Sequence, residues 1–263
     1  MSRGHRVVDP NRAAREFEGC FALALMTKAP RPGEVKTRLV PPLTNHEAAQ
    51  LNRCFLQDTG VAISNCCNGL MAPNSGPSVI RGIAVYTPVG AESDYADILP
   101  ADFTLLPQRG ETFGERLYFA ASDLFKSGFA AVCLIDSDSP MIPAENFSRG
   151  IELLSLPGDR IVLGPCDDGG YYLIGLKQLH REVFERIDWS TERVFEQTKQ
   201  RATQIGVEIH ELPRGFDVDD RTTLHRLCDE LLGENARDDV ARRTKEFLRE
   251  LIAREGRERI WSL

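Results

Sequence analysis

Several features that would place a protein in a familiar class are missing from this chain. Its seven cysteines (Cys20, Cys54, Cys66, Cys67, Cys133, Cys166 and Cys228) are odd in number, and none forms a C-x-x-C pair. That disfavours a disulfide framework or a zinc site, and the cytoplasm is the expected location. The five histidines are scattered without an H-E-x-x-H, and read as ordinary surface or core residues. Neither a G-x-x-x-x-G-K-[ST] loop nor a G-x-G-x-x-G fingerprint occurs, so P-loop and NAD-type binding lack support. Long apolar runs are also missing. The longest near the start, residues 20–26, is too short to cross a bilayer.

Positive charge is in deficit too: 32 Lys and Arg stand against 39 Asp and Glu, for a formal net charge of −7. A general nucleic-acid or anionic-membrane binder would need the opposite balance. Residues 1–18 carry Arg3, Arg6, Arg12 and Arg15, but also Asp9, Glu16 and Glu18. They lack the apolar stretch of a secretory signal and are too acidic for a transit peptide, so a flexible tail is expected.

What is present suits one soluble globular domain: 263 residues, 42% hydrophobic and 27% charged, with no internal repeat and no convincing linker. Strand-length apolar runs at 21–26, 79–86, 103–106, 130–135, 161–163, 171–176 and 207–212 alternate with helix-period segments. The first helix is announced by a capping box, Thr44 with Glu47, ahead of Ala48, Leu51, Phe55 and Ile63 at helical spacing. Residues 66–78, rich in Gly, Pro, Asn and Ser, read as a loop. Further helices are expected from Phe113, from Pro143, and over 190–203, 221–233 and 238–254. This alternation predicts an α/β fold with a mostly parallel sheet.

Four polar clusters each follow a strand, and in such sheets the groups beyond the carboxyl ends of strands share one crevice. The first, K-A-P-R-P-G-E-V-K-T-R-L at 28–39, sets four cations (Lys28, Arg31, Lys36, Arg38) against Glu34, around Gly33 and Thr37. It suits a polyphosphate, and a solvated basic turn fits it equally well. The second, I-D-S-D-S-P at 135–140, offers Asp136 and Asp138 as ligands for Mg²⁺, or as caps for the next helix. The third, L-G-P-C-D-D-G-G-Y-Y-L-I-G-L at 163–176, exceeds what a hairpin turn needs: Asp168, Gly169, Gly170 and Tyr171 could shape a ligand site. The fourth, D-V-D at 217–219, points Asp217 and Asp219 the same way if extended, with helix capping as the plainer role. Two further stretches frame the crevice: Q-R-G-E-T-F-G-E-R-L at 108–117, with Gln108 and Arg116, and I-D-W-S-T-E-R-V at 187–194, with Trp189.

These six motifs, in this order, resemble the bacterial DUF2064 family, also labelled selenodomain-associated transferase 1, of the GT-A (nucleotide-diphospho-sugar transferase) superfamily. The resemblance spans roughly 21–225. It implies a single-domain GT-A (Rossmann-like) three-layer sandwich over 19–225, its mostly parallel mixed sheet flanked by helices. Residues 226–263 would then be a helical extension packed on the same domain. It also implies a divalent metal, Mg²⁺ or Mn²⁺, with Asp138 as principal ligand, Asp217 as second, and Asp136 and Asp219 beside them. Lys28, Gly33, Lys36, Thr37, Arg38 and Gln108 would bind nucleotide phosphate. Lys36, Arg38 and Asp168 would act in catalysis, and Arg116, Gly169, Gly170, Tyr171 and Trp189 would bind substrate. Two positions depart from the family: Asp136 replaces the usual Gly, and Asp220-Arg221 replaces the usual Thr-Pro.

The expected activity is metal-dependent nucleotidyl transfer from a nucleoside triphosphate to a small phosphorylated or sugar-like acceptor, releasing pyrophosphate. The alternative is glycosyl transfer from a nucleotide-sugar. A haloacid-dehalogenase-type phosphatase and a non-catalytic nucleotide-binding module are remoter readings. The expected partners are a nucleotide and a small acceptor, with neither nucleic acid nor membrane; the oligomeric state is left open.

Overall fold

The alternating apolar segments assemble into one eight-stranded sheet. The computed structural model describes residues 4–10, 12, 15–69, 79–234 and 236–261. The strands are β1 (Arg6–Val7), β2 (Phe21–Lys28), β3 (Ile80–Thr87), β4 (Thr104–Pro107), β5 (Ala131–Ile135), β6 (Arg160–Pro165), β7 (Tyr171–Leu176) and β8 (Glu208–Glu211). Their order across the sheet is β1-β4-β3-β2-β5-β7-β6-β8. Every neighbouring pair is parallel except β5·β7 and β7·β6, so β7 alone runs against the rest. The short 166–170 connection from β6 forces that reversal, since a parallel return would need a long crossover.

Strand alternation feeds two apolar layers. Leu23, Leu25, Cys133 and Ile135 face one side, where they meet Leu56 and Ile63 of α1 (Asn45–Gly69) and Phe147, Ile151 and Leu154 of α3 (Ala144–Ser155). Ala22, Ala24, Val132 and Leu134 face the other, against Leu117, Ala121 and Leu124 of α2 (Phe113–Lys126) and Phe195 and Ala202 of α4 (Val194–Gln204). Helix, sheet and helix make the expected three layers.

Two segments differ from the sequence reading. Helix α1 runs through Gly69, so residues 66–69 are helical, not loop; the rest of that stretch, 70–78, lies outside the described residues. The stretch expected as a flexible tail adds β1 to the sheet edge, pairing with Thr104 and Leu105. Val8 and Phe17 are buried there, Phe17 stacked on Phe129. Their apolar burial outweighs the local charge that marks the stretch as a tail.

At the other end, α5 (Arg221–Leu232), α6 (Arg242–Glu255) and α7 (Glu258–Trp261) build a third cluster on α1. Leu224, Leu227, Leu248 and Leu251 pack there with Leu51 and Phe55. Among the described residues, no helix is long and apolar enough to cross a membrane.

Candidate active site

All strands except β7 end at the same edge of the sheet, and β7 begins there, so the loops after β2, β4, β5, β6 and β8 converge. They enclose a cleft of about 620 Å³ lined by Lys28, Arg38, Gln108, Arg116, Asp136, Asp138, Asp168, Gly170, Tyr171, Trp189, Asp217 and Asp219, with Cys166 among them. The site residues expected from sequence that line it come from all six motifs. Gly33, Lys36, Thr37 and Gly169 do not line the cleft itself. Lys36 and Thr37 line an adjoining recess of about 230 Å³, together with Lys28, Arg38, Asn52 and Ser137. Gly33 is an exposed turn residue at φ 79°.

The carboxylates fall into two groups. Asp138 and Asp219 are bound to Lys36, whose Nζ lies 2.6 Å from Asp138 Oδ1 and 3.0 Å from Asp219 Oδ1. The same ammonium donates to the Val218 carbonyl at 2.9 Å and sits over the Phe55 ring. Its side chain is only 4% exposed. Burial disfavours the charge on Lys36, but Asp138 and Asp219 outweigh it and hold the pKa above that of an ordinary lysine. All three N–H groups are therefore spent on protein oxygens. In this arrangement Lys36 has no free N–H to offer the phosphate expected from the sequence, because its donors already have partners. Arg38 is different: 71% exposed and only loosely paired with Asp219 at 3.8 Å, it presents a guanidinium to both cleft and recess. Lys28 donates to the Glu34 carbonyl at 3.0 Å and is half exposed.

Among the described residues, the second group is in no such ion pair. Ligand atoms of Cys166, Asp168 and Asp217 all lie within 4.8 Å of one another. Burial, then Asp168 and Asp219, push the Asp217 carboxyl up to about 7. Burial and Asp138 likewise raise Asp136 well above the carboxylate range, although Asp136 accepts a 2.7 Å hydrogen bond from Ser139. Oxygen-rich donors carrying more negative charge than the local cations offset fit a divalent metal. Cys166 is a buried thiol whose pKa is raised by burial and by Asp136 and Asp217, which disfavours the thiolate.

The 166–170 turn is held by Cys166 N–H donating to Gly170 O at 3.0 Å and by Gly170 N–H donating to Asp168 Oδ1 at 2.8 Å. That second bond holds Asp168 at the mouth, exposed. Gly169, expected to touch substrate, packs instead on Glu192, and its carbonyl accepts from Phe195 N–H at 2.8 Å. Tyr171 and Tyr172 both line the cleft, but the Tyr172 hydroxyl is engaged in the opposite layer, donating to Pro213 O and accepting from Asn146. Trp189 meets Phe113 edge-on at 5.2 Å and Tyr171 at 6.4 Å, forming an aromatic wall. Arg116 makes only long contacts to the carbonyls of Gly110 and Glu111.

The fourth cluster divides its labour. Asp220 caps α5 by accepting from Thr223 N–H at 2.9 Å, which frees Asp217 and Asp219 for the cleft, with Val218 buried between them. Sequence reasoning missed three residues that matter: Asn52 on α1, Val218 through its carbonyl, and Phe113. Only Phe113 left a signal, as an aromatic at a capped helix start.

Residues 78–191 match the model of the DUF2064 family, described as an uncharacterized protein conserved in bacteria. A structure from Desulfovibrio desulfuricans G20, named as a candidate nucleotide-diphospho-sugar transferase, is 27% identical. It superposes with a TM-score of 0.75 over 91% of this chain and 98% of that one. The 4-diphosphocytidyl-2C-methyl-D-erythritol synthase of Anaerococcus prevotii DSM 20548 shares the fold at TM-score 0.51 and 12% identity, over 84% of this chain and 100% of that one. No curated protein matches. The DUF2064 match over 78–191 takes in the motifs at 108–117, 135–140 and 163–176 and most of that at 187–194, and the chain has the fold of the Desulfovibrio structure.

Proposed function

We propose that this chain is a metal-dependent, nucleotide-using transferase that moves a nucleotidyl group from a nucleoside triphosphate to a small phosphorylated or sugar-like acceptor. The observation that carries this reading is one cleft in which the exposed Arg38 and Lys28 of the β2 loop face six carboxylates, two of which have their pKa raised by burial and by neighbouring carboxylates. A phosphate chain supplies the anion for the basic loop, and a cation relieves the acids.

Asp138 and Asp217 would hold Mg²⁺ or Mn²⁺, with Asp136 and Asp219 beside them, and the bound metal would supply positive charge to the phosphate oxygens. Arg38 and Lys28 would bind the outer phosphates and stabilise the departing pyrophosphate. Asp168, fixed by the Gly170 N–H and open to the cleft, would take the proton from the acceptor hydroxyl. Arg116 would orient an anionic group on the acceptor, and the Trp189, Tyr171 and Phe113 wall would exclude water behind it. Gln108 would contact the nucleotide from the β4 side.

Glycosyl transfer from a nucleotide-sugar is the second reading, favoured by the aromatic wall, which suits the apolar face of a sugar, and by the name of the Desulfovibrio relative. Thermal shift with nucleoside triphosphates and nucleotide-sugars, each with Mn²⁺, Mg²⁺ or EDTA, separates the two. The nucleotidyl reading expects a metal-dependent shift with a triphosphate, lost in Arg38→Ala. A shift confined to nucleotide-sugars transfers the assignment to the second reading.

A further inference from the structure

Lys36 poses a problem that neither burial nor sequence position explains. A lysine in a phosphate-binding loop is useful only if its ammonium can reach phosphate. Here it is 4% exposed and triply bonded to Asp138, Asp219 and Val218 O. It is also one of four non-glycine residues at positive φ (49°, with ψ 36°) among the described residues. The Oδ1 of Asn52, on α1, is buried without a hydrogen-bond partner. Asn52 is 4% exposed and lines the recess that opens beside Lys36, where Lys28, Thr37, Arg38 and Ser137 provide phosphate-binding groups.

The two carboxylates and the main-chain carbonyl that Lys36 holds are hard oxygens of the kind a divalent cation takes. An ammonium with three donors answers all three, while Asn52 Oδ1 in the adjoining recess stays unpaired. If Lys36 left, Asp138 and Asp219 would lose their counter-ion beside Asp136 and Asp217, an arrangement the site tolerates only if another cation arrives.

We propose that Lys36 is a tethered stand-in for the metal. Its ammonium holds Asp138 and Asp219, two of the carboxylates assigned to the metal, together with Val218 O, and exchanges with the arriving divalent cation by swinging into the recess that Asn52 lines, where it meets phosphate. Metal arrival and delivery of the phosphate-binding lysine are then one event, so nucleotide and metal bind cooperatively. The inference rests on the metal-dependent reading above and adds a specific competitor for the metal.

The test is Mn²⁺ binding to the full chain without nucleotide, followed by electron paramagnetic resonance. Lys36→Met removes the competitor, so Mn²⁺ should bind at least tenfold more tightly than to the wild type. Unchanged or weaker binding by Lys36→Met overturns the exchange. Because Lys36→Met could unfold, the wild type supplies a second measurement: acetylation of Lys36 by a small anhydride, read by mass spectrometry. Mn²⁺ should increase the reactivity of Lys36, and protection unaffected by saturating Mn²⁺ also overturns the exchange. If neither form binds Mn²⁺ even with a nucleoside triphosphate, the metal-dependent reading itself falls. If the wild type binds it and Lys36→Met binds no better, only the stand-in role is lost.

Discussion

Gly169 and Glu192 touch backbone to backbone across the mouth of the cleft. A Cβ built on Gly169 would overlap the Glu192 carbonyl oxygen and lie 2.5 Å from its Cα, and the glycine sits at φ 89°. The contact locks the 166–170 turn, which carries Asp168, onto the loop that carries Trp189. The glycine pair of the third motif thus serves assembly of the site more than contact with substrate.

Gly169→Ala therefore combines a disfavoured backbone conformation with a backbone clash. A loss of roughly 2–4 kcal/mol is expected by urea denaturation. Trp189 fluorescence should change in the folded variant as the two loops separate. Unaltered stability would show that the turn can move away from Glu192 at no cost.

The Asp217 carboxyl, raised from an ordinary 3.8 to about 7, makes the metal-free protein sensitive to pH in a predictable direction. The folded state holds a proton that the unfolded chain releases near pH 4, so stability falls as pH rises from about 4 to about 7, then levels. Asp136, raised by burial and by Asp138, acts with the same sign. Thermal unfolding in EDTA should show this decline, and Asp217→Asn should flatten it. Since metal and proton compete for Asp217, Mn²⁺ affinity should rise with pH up to about 7. Stability that instead climbs through this window contradicts the crowding of the carboxylates.

Arg109 and Arg116 lie on the same motif, yet only one is structural. Arg109 Nε and Nη2 grip both oxygens of the buried Asp123 at 2.6 Å, and its guanidinium stacks on Phe119. Arg109→Leu would strand that carboxylate and cost about 3–5 kcal/mol, or roughly 10 °C in Tm at 2–4 °C per kcal/mol. Arg116→Leu should shift stability by less than about 0.5 kcal/mol and weaken binding of an anionic acceptor. Calorimetry on both variants checks the contrast, and equal losses would remove Arg116 from the substrate side.

Much of this protein follows from the order of its residues alone. Apolar runs of strand length, the Thr44–Glu47 cap (reciprocal bonds of 2.9 and 3.2 Å) and the α/β alternation are local properties, readable because neighbours in sequence produce them. So is the placing of acids and bases directly after strands, which gathers the cleft residues at one edge of the sheet. What tertiary structure alone decided is pairing. Lys36 meets Val218 across 182 residues and Asp219 across 183, and no periodicity encodes which carboxylates a lysine will neutralise once buried. Asn52 reads as one polar position on a helix until the fold buries its amide at the recess that Lys36 also lines. The first residues read as a tail because their charge is visible locally, whereas the sheet edge and the Phe129 ring that hold them are brought up only by folding.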